Sequence, residues 1–242
     1  MKKNLTIVIT IAITMAVTLV SCKHKDEKVK KLPSRIVSHE ATPFHSELFY
    51  DEQNRLIKII REAYDIVDTL SIAYNINGLP IKLIGGYWDT VDIIYQNNGR
   101  KIIISSDTFW LNKKGQFTRW HEEDIFISKF TYNSNGNIIK WHWRSRGNEI
   151  KVEYRYKYSD IRPIFRHVNT PEWLLFWLHH AAIIFPFEKN GYLPLSNLSR
   201  KYSYELDTDN YVIKMKIKED YQLENEYEFI FEYEYILANQ SK

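Results

Sequence analysis

Tyr132-Asn133-Ser134-Asn135-Gly136 decides the fold class, because its pattern occurs six times along the chain. An aromatic residue or leucine is followed by Asp, Asn or Gln, then two variable residues, then Gly or Asn. The other copies are Tyr50-Asp51-Glu52-Gln53-Asn54, Tyr74-Asn75-Ile76-Asn77-Gly78, Tyr95-Gln96-Asn97-Asn98-Gly99, Leu111-Asn112-Lys113-Lys114-Gly115 and Leu206-Asp207-Thr208-Asp209-Asn210. The aromatic ends a strand, and an Asp or Asn side chain accepts backbone N–H groups just beyond it, which starts a turn. The fifth position needs positive φ, which Gly adopts freely and Asn tolerates.

A returning apolar stretch follows: Leu56-Ile57-Lys58-Ile59, Ile81-Lys82-Leu83, Ile102-Ile103-Ile104, Ile138-Ile139-Lys140-Trp141 and Val212-Ile213-Lys214-Met215. Each unit therefore reads as a β-hairpin. Repeat starts at 50, 74, 95, 111 and 132 are 16 to 24 residues apart, which is the length of two strands and two turns. Aromatic residues make up 15% of the chain, dominated by tyrosine, and such residues favour strands. The expected fold is all-β: an antiparallel meander of repeated hairpins in one large twisted sheet. A closed barrel is the alternative, since closure removes exposed edges.

One segment breaks the pattern. Thr170-Pro171-Glu172-Trp173 carries a capping residue, a first-turn proline and an early acid, the signature of a helix start. Trp173, Phe176, Trp177, His180 and Ile184 recur at helical spacing, and Pro186 should end the run. This predicts a helix over 171–185, packed on the sheet and plugging its core. A membrane-surface helix would carry Lys or Arg on its polar face, and this one has none.

The N-terminus carries an address. Met1-Lys2-Lys3 precedes an apolar run from Ile7 to Val17, and Leu19-Val20-Ser21-Cys22 ends it. Basic start, short apolar region and small residue at the cut are the layout of a secretory signal, and the run is too short to span a bilayer comfortably. The last four residues resemble the lipobox of bacterial lipoproteins, which implies that residues 1–21 are removed and Cys22 is acylated. Cys22 is the sole cysteine, so no internal disulfide can form. Residues 22–33 are mostly charged and read as a flexible tether, leaving 34–242 as a single β-rich domain. Without Lys2 and Lys3, 31 basic residues stand against 30 acidic ones. That balance argues against nucleic acid as a partner.

Two resemblances extend this reading. The six turn motifs resemble the YD (Rhs-type) repeat over roughly residues 46–142, returning at 204–215. The order of Tyr154-Arg155-Tyr156-Lys157-Tyr158, Gly191-Tyr192, Leu195-Ser196-Asn197-Leu198, Tyr202-Ser203-Tyr204 and a closing Phe229-Ile230-Phe231-Glu232-Tyr233-Glu234-Tyr235 is similar to the DUF4595 lipoproteins of Bacteroidetes. These resemblances imply a lipid-anchored protein of the cell envelope; they add fold and address but hardly any function, because the family has no established activity. Asn210 stands where the repeat usually has Gly.

No catalytic constellation emerges. His121-Glu122-Glu123-Asp124 lacks the second histidine one turn on that a helical zinc motif requires and reads as a polar loop. His179 and His180 are adjacent on a helix, pointing about 100° apart, and do not chelate. Asp207-Thr208-Asp209-Asn210 lacks the distant Glu of a calcium loop. The chain has no Gly-x-Ser-x-Gly elbow and no Gly-rich phosphate loop before a helix. No metal and no cofactor is expected.

Two sets of side chains are candidates for ligand contact. Trp141 and Trp143 alternate on one strand, and Trp110 and Trp120 belong to the neighbouring hairpin; exposed they would stack on sugars, buried they are core. A basic residue falls eight positions after the repeat start at Lys58, Lys82, Arg119, Lys140 and Lys214, reading either as an anion-binding ridge or as a solvated face. The expected function is a non-enzymatic envelope lipoprotein, a binding or scaffold module for a glycan, peptide or protein partner, anchored to the outer membrane through Cys22. A purely structural envelope component and a hydrolase using scattered carboxylates are the alternatives.

Overall fold

The computed structural model describes residues 29–39, 43–86, 89–122, 126–145, 151–180, 189–197, 199–220 and 226–238. The export signal, Cys22, Pro186 and residues 181–185 of the expected helix lie outside them. Strands β1 (Lys31–Ser38), β2 (Phe44–Tyr50), β3 (Leu56–Ala63), β4 (Ile66–Tyr74), β5 (Pro80–Gly85) and β6 (Thr90–Gln96) pair in order, each antiparallel to the next. The ladder continues through β7 (Lys101–Ile104), β8 (Asp107–Leu111), β9 (Phe117–Glu122), β10 (Phe126–Tyr132), β11 (Ile138–Ser145) and β12 (Lys151–Arg155). A second run joins β13 (Lys157–Tyr158), β14 (Pro194–Ser196), β15 (Arg200–Leu206), β16 (Val212–Asp220) and β17 (Glu226–Leu237).

Two features bend this meander into a nearly closed barrel. β17 pairs with β1, so the first and last strands are neighbours. β12 and β13 are separated by Tyr156 alone, β12 bonding to β11 and β13 to β14. The single large antiparallel sheet expected from the repeats is present, curled so that few edges remain. The domain begins earlier than its charged composition indicated: Lys31, Leu32 and Pro33 belong to β1 and not to a tether. Leu32 is buried, and Lys31 is held by Asp207 and Asp209 at 2.8 and 2.7 Å, contacts with residues far along the chain that local composition does not reveal.

The turn chemistry follows the sequence closely. Asp51, Asn75, Asn112, Asn133 and Asp207 each accept two backbone N–H groups through Oδ1, from the residues two and four positions on. All six fifth positions have positive φ, from 59° at Asn54 to 88° at Gly136. The Gln96 copy differs. Asn97, Asn98 and Gly99 are all at positive φ there, because a glutamine side chain is one methylene too long for the same turn.

The repeat tyrosines have a second role. Tyr50, Tyr74, Tyr95 and Tyr132 donate their hydroxyls to the carbonyls of Pro33, Leu56, Pro80 and Phe117 at 2.6–2.9 Å. Tyr158, Tyr204 and Tyr235 do the same to Ile138, Pro194 and Val212. Most of these acceptors open the preceding strand, so most of these tyrosines clasp one strand to the start of the strand before it. Burial pushes the hydroxyls of Tyr50, Tyr74, Tyr95, Tyr132 and Tyr235 up, that of Tyr74 to about 12, which keeps them protonated donors.

Helix α1 (Glu172–His180) packs on the sheet as expected, and the sheet wraps around it. Six consecutive residues, Trp173 through Leu178, are each at most 4% exposed. Only a helix surrounded on all sides buries every residue of a turn and a half. Phe176 meets Phe109, Phe117, Trp120, Phe130 and Trp141 edge-on or tilted, so α1 fills the lumen against β8–β11. Two indole groups there are hydrogen-bonded: Trp177 Nε1 donates to Asp107 at 2.8 Å and Trp141 Nε1 to Ser128 at 3.0 Å. Thr170 does not cap the helix. Its hydroxyl accepts from Leu56 N and meets Tyr74 Oη, tying the helix entry to β3.

The outer wall is charged where the lumen is apolar. Cross-strand ion pairs there include Arg35–Glu234, Lys82–Asp92 and Lys214–Glu232, and Lys58 and Arg119 lie over Phe49 and Trp110. Exposed apolar side chains such as Ile84 and Ile94 stand among these charges. No helix among the described residues is long and apolar enough to cross a membrane.

Candidate functional site

The helix fills only part of the lumen. On the other side lies a cavity of about 210 Å³ between α1, β10–β13 and β14–β16. Its position follows from the break in the repeat. β12 and β13 bend at Tyr156, and β14 has only three residues, so this arc of wall does not close on the helix.

Tyrosines dominate the lining: Tyr154, Tyr156 and Tyr158 from β12–β13, Tyr202 and Tyr204 from β15, and Tyr192 before β14. Alternate residues of a strand share a face, so the spacing of two puts each group on the inner side. Trp141 forms the wall towards the core, stacked with Phe130 at 5.7 Å and tilted against Tyr154 at 5.4 Å. Polar groups stand at both ends. Arg200 grips buried Glu219 through Nε and Nη2 at 3.0 and 3.3 Å. Burial works against the Arg200 charge, but the bonds to Glu219 outweigh it and hold its pKa above the ordinary value. At the other end Asn190 donates to Glu172 at 2.8 Å, and burial raises the Glu172 carboxyl above its ordinary range.

Asn137 links the cavity to the repeats. Its Oδ1 accepts Tyr192 N at 2.6 Å, and a Cβ on Gly191, which is at φ 75°, would overlap its carboxamide. Gly191-Tyr192 is thus a fitted joint between the fifth turn and the chain entering β14.

The four candidate tryptophans do not form one surface. Trp141 lines the cavity. Trp120 is 1% exposed and stacks on Phe109 in the core. Trp143 stacks on Phe126 at 4.9 Å towards the other end of β11. Trp110 is on the outer wall beside Arg119 and His121. The basic residues also fail to make an open ridge: Lys58, Lys82, Arg119 and Lys214 each sit beside their own ring or carboxylate.

Other clusters resolve into structure. Arg119 Nε lies 2.6 Å from His121 Nε2, and Glu123 and Asp124 lie outside the described residues. His179 faces the cavity, while the side chain of His180 is outside the described residues. The Asp207–Asp209 pair holds the Lys31 ammonium. Among the described residues no group of three or more His, Cys, Asp or Glu is placed to hold a metal.

Sequence reasoning found Trp141 but missed the tyrosines and the Arg200–Glu219 pair. The alternation of Tyr154-Arg155-Tyr156-Lys157-Tyr158 was a legible signal for one aromatic face. The ion pair had none, since its members are 19 residues apart on facing strands.

No family model and no curated protein matches the chain. Among solved structures it is similar to a porin-like protein from Bacteroides uniformis, at 14% identity and a TM-score of 0.48, over 84% of this chain and 98% of that one. It is also similar to a porin-like protein from Bacteroides vulgatus, at 11% identity and a TM-score of 0.41, over 86% of this chain and 99% of that one.

Proposed function

We propose that this chain is a non-enzymatic lipoprotein of the bacterial cell envelope, anchored to the outer membrane through acylated Cys22, whose barrel is a binding module with its site in the tyrosine-lined lumenal cavity. The cavity carries the reading: one arc of wall leaves space edged by rings and paired polar groups. Concave, largely preformed sites with a few convergent polar groups are where small ligands bind. The charged outer wall fits attachment by lipid and not by the strands themselves. β1 begins at Lys31, nine residues beyond Cys22, a span of at most about 30 Å when extended, so the barrel stands close to the surface that holds it.

Two measurements test this. Metabolic labelling with a clickable fatty acid should mark the protein, and Cys22→Ala should abolish the label; labelling of the variant would remove the anchor. Thermal shift of the full-length protein in a detergent without a sugar headgroup, against glycans, peptides and divalent metals, should give a saturable rise for at least one small polar ligand. A flat response across the panel would contradict the binding reading.

A further inference from the structure

From the chemistry of the lining we infer that the cavity takes a neutral sugar, one pyranose ring at the depth of Trp141 and Tyr154; this inference rests on the binding reading above. Size comes first. About 210 Å³ is below the roughly 300–1,000 Å³ of sites for drug-sized ligands, and suits a single ring better than a stretch of peptide.

Charge comes second. The one guanidinium in the lining is engaged on Glu219 by a two-pronged bond. An anionic ligand would meet the carboxyls of Glu172 and Glu219, with the Arg200 guanidinium already committed and His179 the other basic side chain in the lining. A cationic ligand gains little, since Arg200 already neutralises Glu219 and burial disfavours charge on Glu172.

Polarity comes third. A purely apolar ligand would strip water from the amides of Asn137 and Asn190 and from the Arg200–Glu219 pair without replacing its hydrogen bonds, which is costly for buried groups. A ligand that combines apolar C–H faces with a rim of hydroxyls meets both demands. Its faces lie against the rings of Trp141, Tyr154 and Tyr202, and its hydroxyls bond to the amides and to tyrosine oxygens, which keep lone pairs to accept with even where, as at Tyr158 and Tyr204, they already donate to a carbonyl. Neutral sugars have this chemistry. No bond is made or broken in the process, and the sugar leaves as it entered.

The test is a binding titration of the full-length protein, in the same sugar-free detergent. The probes are glucose, galactose, N-acetylglucosamine and their disaccharides, the matching uronic acids, and a neutral tripeptide. The variants are Tyr154→Leu and Tyr202→Leu, two sites on opposite sides of the cavity, so that misfolding of one does not end the experiment; each is first checked for a native melting transition. The inference expects saturable binding of at least one neutral sugar, about tenfold weaker in a folded variant, and about tenfold weaker for the corresponding uronic acid. Uronic acids or the tripeptide binding in preference, with sensitivity to either variant, would overturn the neutral-sugar inference and leave the binding module standing. Sugar binding indifferent to both variants would place the site elsewhere and overturn it. Absence of binding by every probe would overturn both.

Discussion

The arc from β2 to β11 and the arc from β12 to β16 are built from the same kind of strand, yet one is closed and the other is not. In the first, every unit but the Gln96 one obeys a local rule: tyrosine or leucine, Asx turn, positive-φ residue, returning strand. Its inner residues Phe109, Phe117, Trp120 and Phe130 meet Phe176 of α1 across the lumen, and only at β10 and β11 do they also border the cavity. In the second, the strands bend at Tyr156 and shrink to three residues at β14, and the inner side is lined by tyrosines facing a cavity. The contrast teaches that regular turns and clasps stabilise the frame on both arcs, and that the space available for a ligand opens where the succession of full-length hairpins lapses, at the β12–β13 break and the three-residue β14.

Substitutions should divide along the same line. The largest loss of stability belongs to the closed side. Phe176→Ala removes the ring that five other aromatics surround and should cost roughly 3–5 kcal/mol, measured by chemical denaturation; a cost below about 1 kcal/mol would mean that α1 is not enclosed. Next comes the clasp. Tyr74→Phe leaves the ring in place but deprives Leu56 O and Thr170 of the hydroxyl, and should cost about 1–3 kcal/mol. The same change at Tyr64, which is 69% exposed at a hairpin tip, should be close to neutral.

The Asp207 turn separates two smaller effects. Asp207→Asn keeps an acceptor for Asp209 N and Tyr211 N and loses only the ion pair with Lys31, about 0–1 kcal/mol at an exposed site. Asp207→Ala loses the turn bonds too and should cost roughly 1–2 kcal/mol. Their pH dependence differs in a defined direction. Burial opposes ionisation of Asp207, but the bonds from Lys31, Tyr211 N and Asp209 N outweigh it and hold its pKa below the ordinary 3.8. The native state therefore binds this proton less readily than the unfolded chain. The stabilisation is complete above the unfolded value and is lost as pH falls through the folded one. The gap between wild type and Asp207→Asn should shrink in acid below about pH 4; a gap that widened there would reverse the sign of the linkage. Tyr154→Leu, on the open side, should weaken binding more than it weakens folding.

The legibility of the chain divides in the same way. The hairpin frame could be read because its information is local: Asn133 and Gly136 specify a turn within five residues, whatever surrounds them. The helix start at Pro171-Glu172 was local as well. Closure was not, because it depends on β1 meeting β17, two segments at opposite ends of the chain with nothing in either to name the other. For the same reason Lys31–Pro33 looked like tether: Lys31 reads as a solvated charge until Asp207 and Asp209 stand beside it. Thr170 followed the local rule for a cap and was taken by a stronger distant partner, Leu56 N. Of the site, Trp141 was visible as a large ring on a strand, but nothing in sequence distinguished it from Trp120, which the core absorbs.

The most direct test of the contrast is hydrogen–deuterium exchange of the full-length protein with and without a saturating neutral disaccharide. The account predicts added protection in peptides covering 152–158 and 192–204, with the hairpins of 50–116 unchanged. Protection confined to the repeat hairpins, or none at saturation, would contradict the claim that the ligand enters where the repeat lapses.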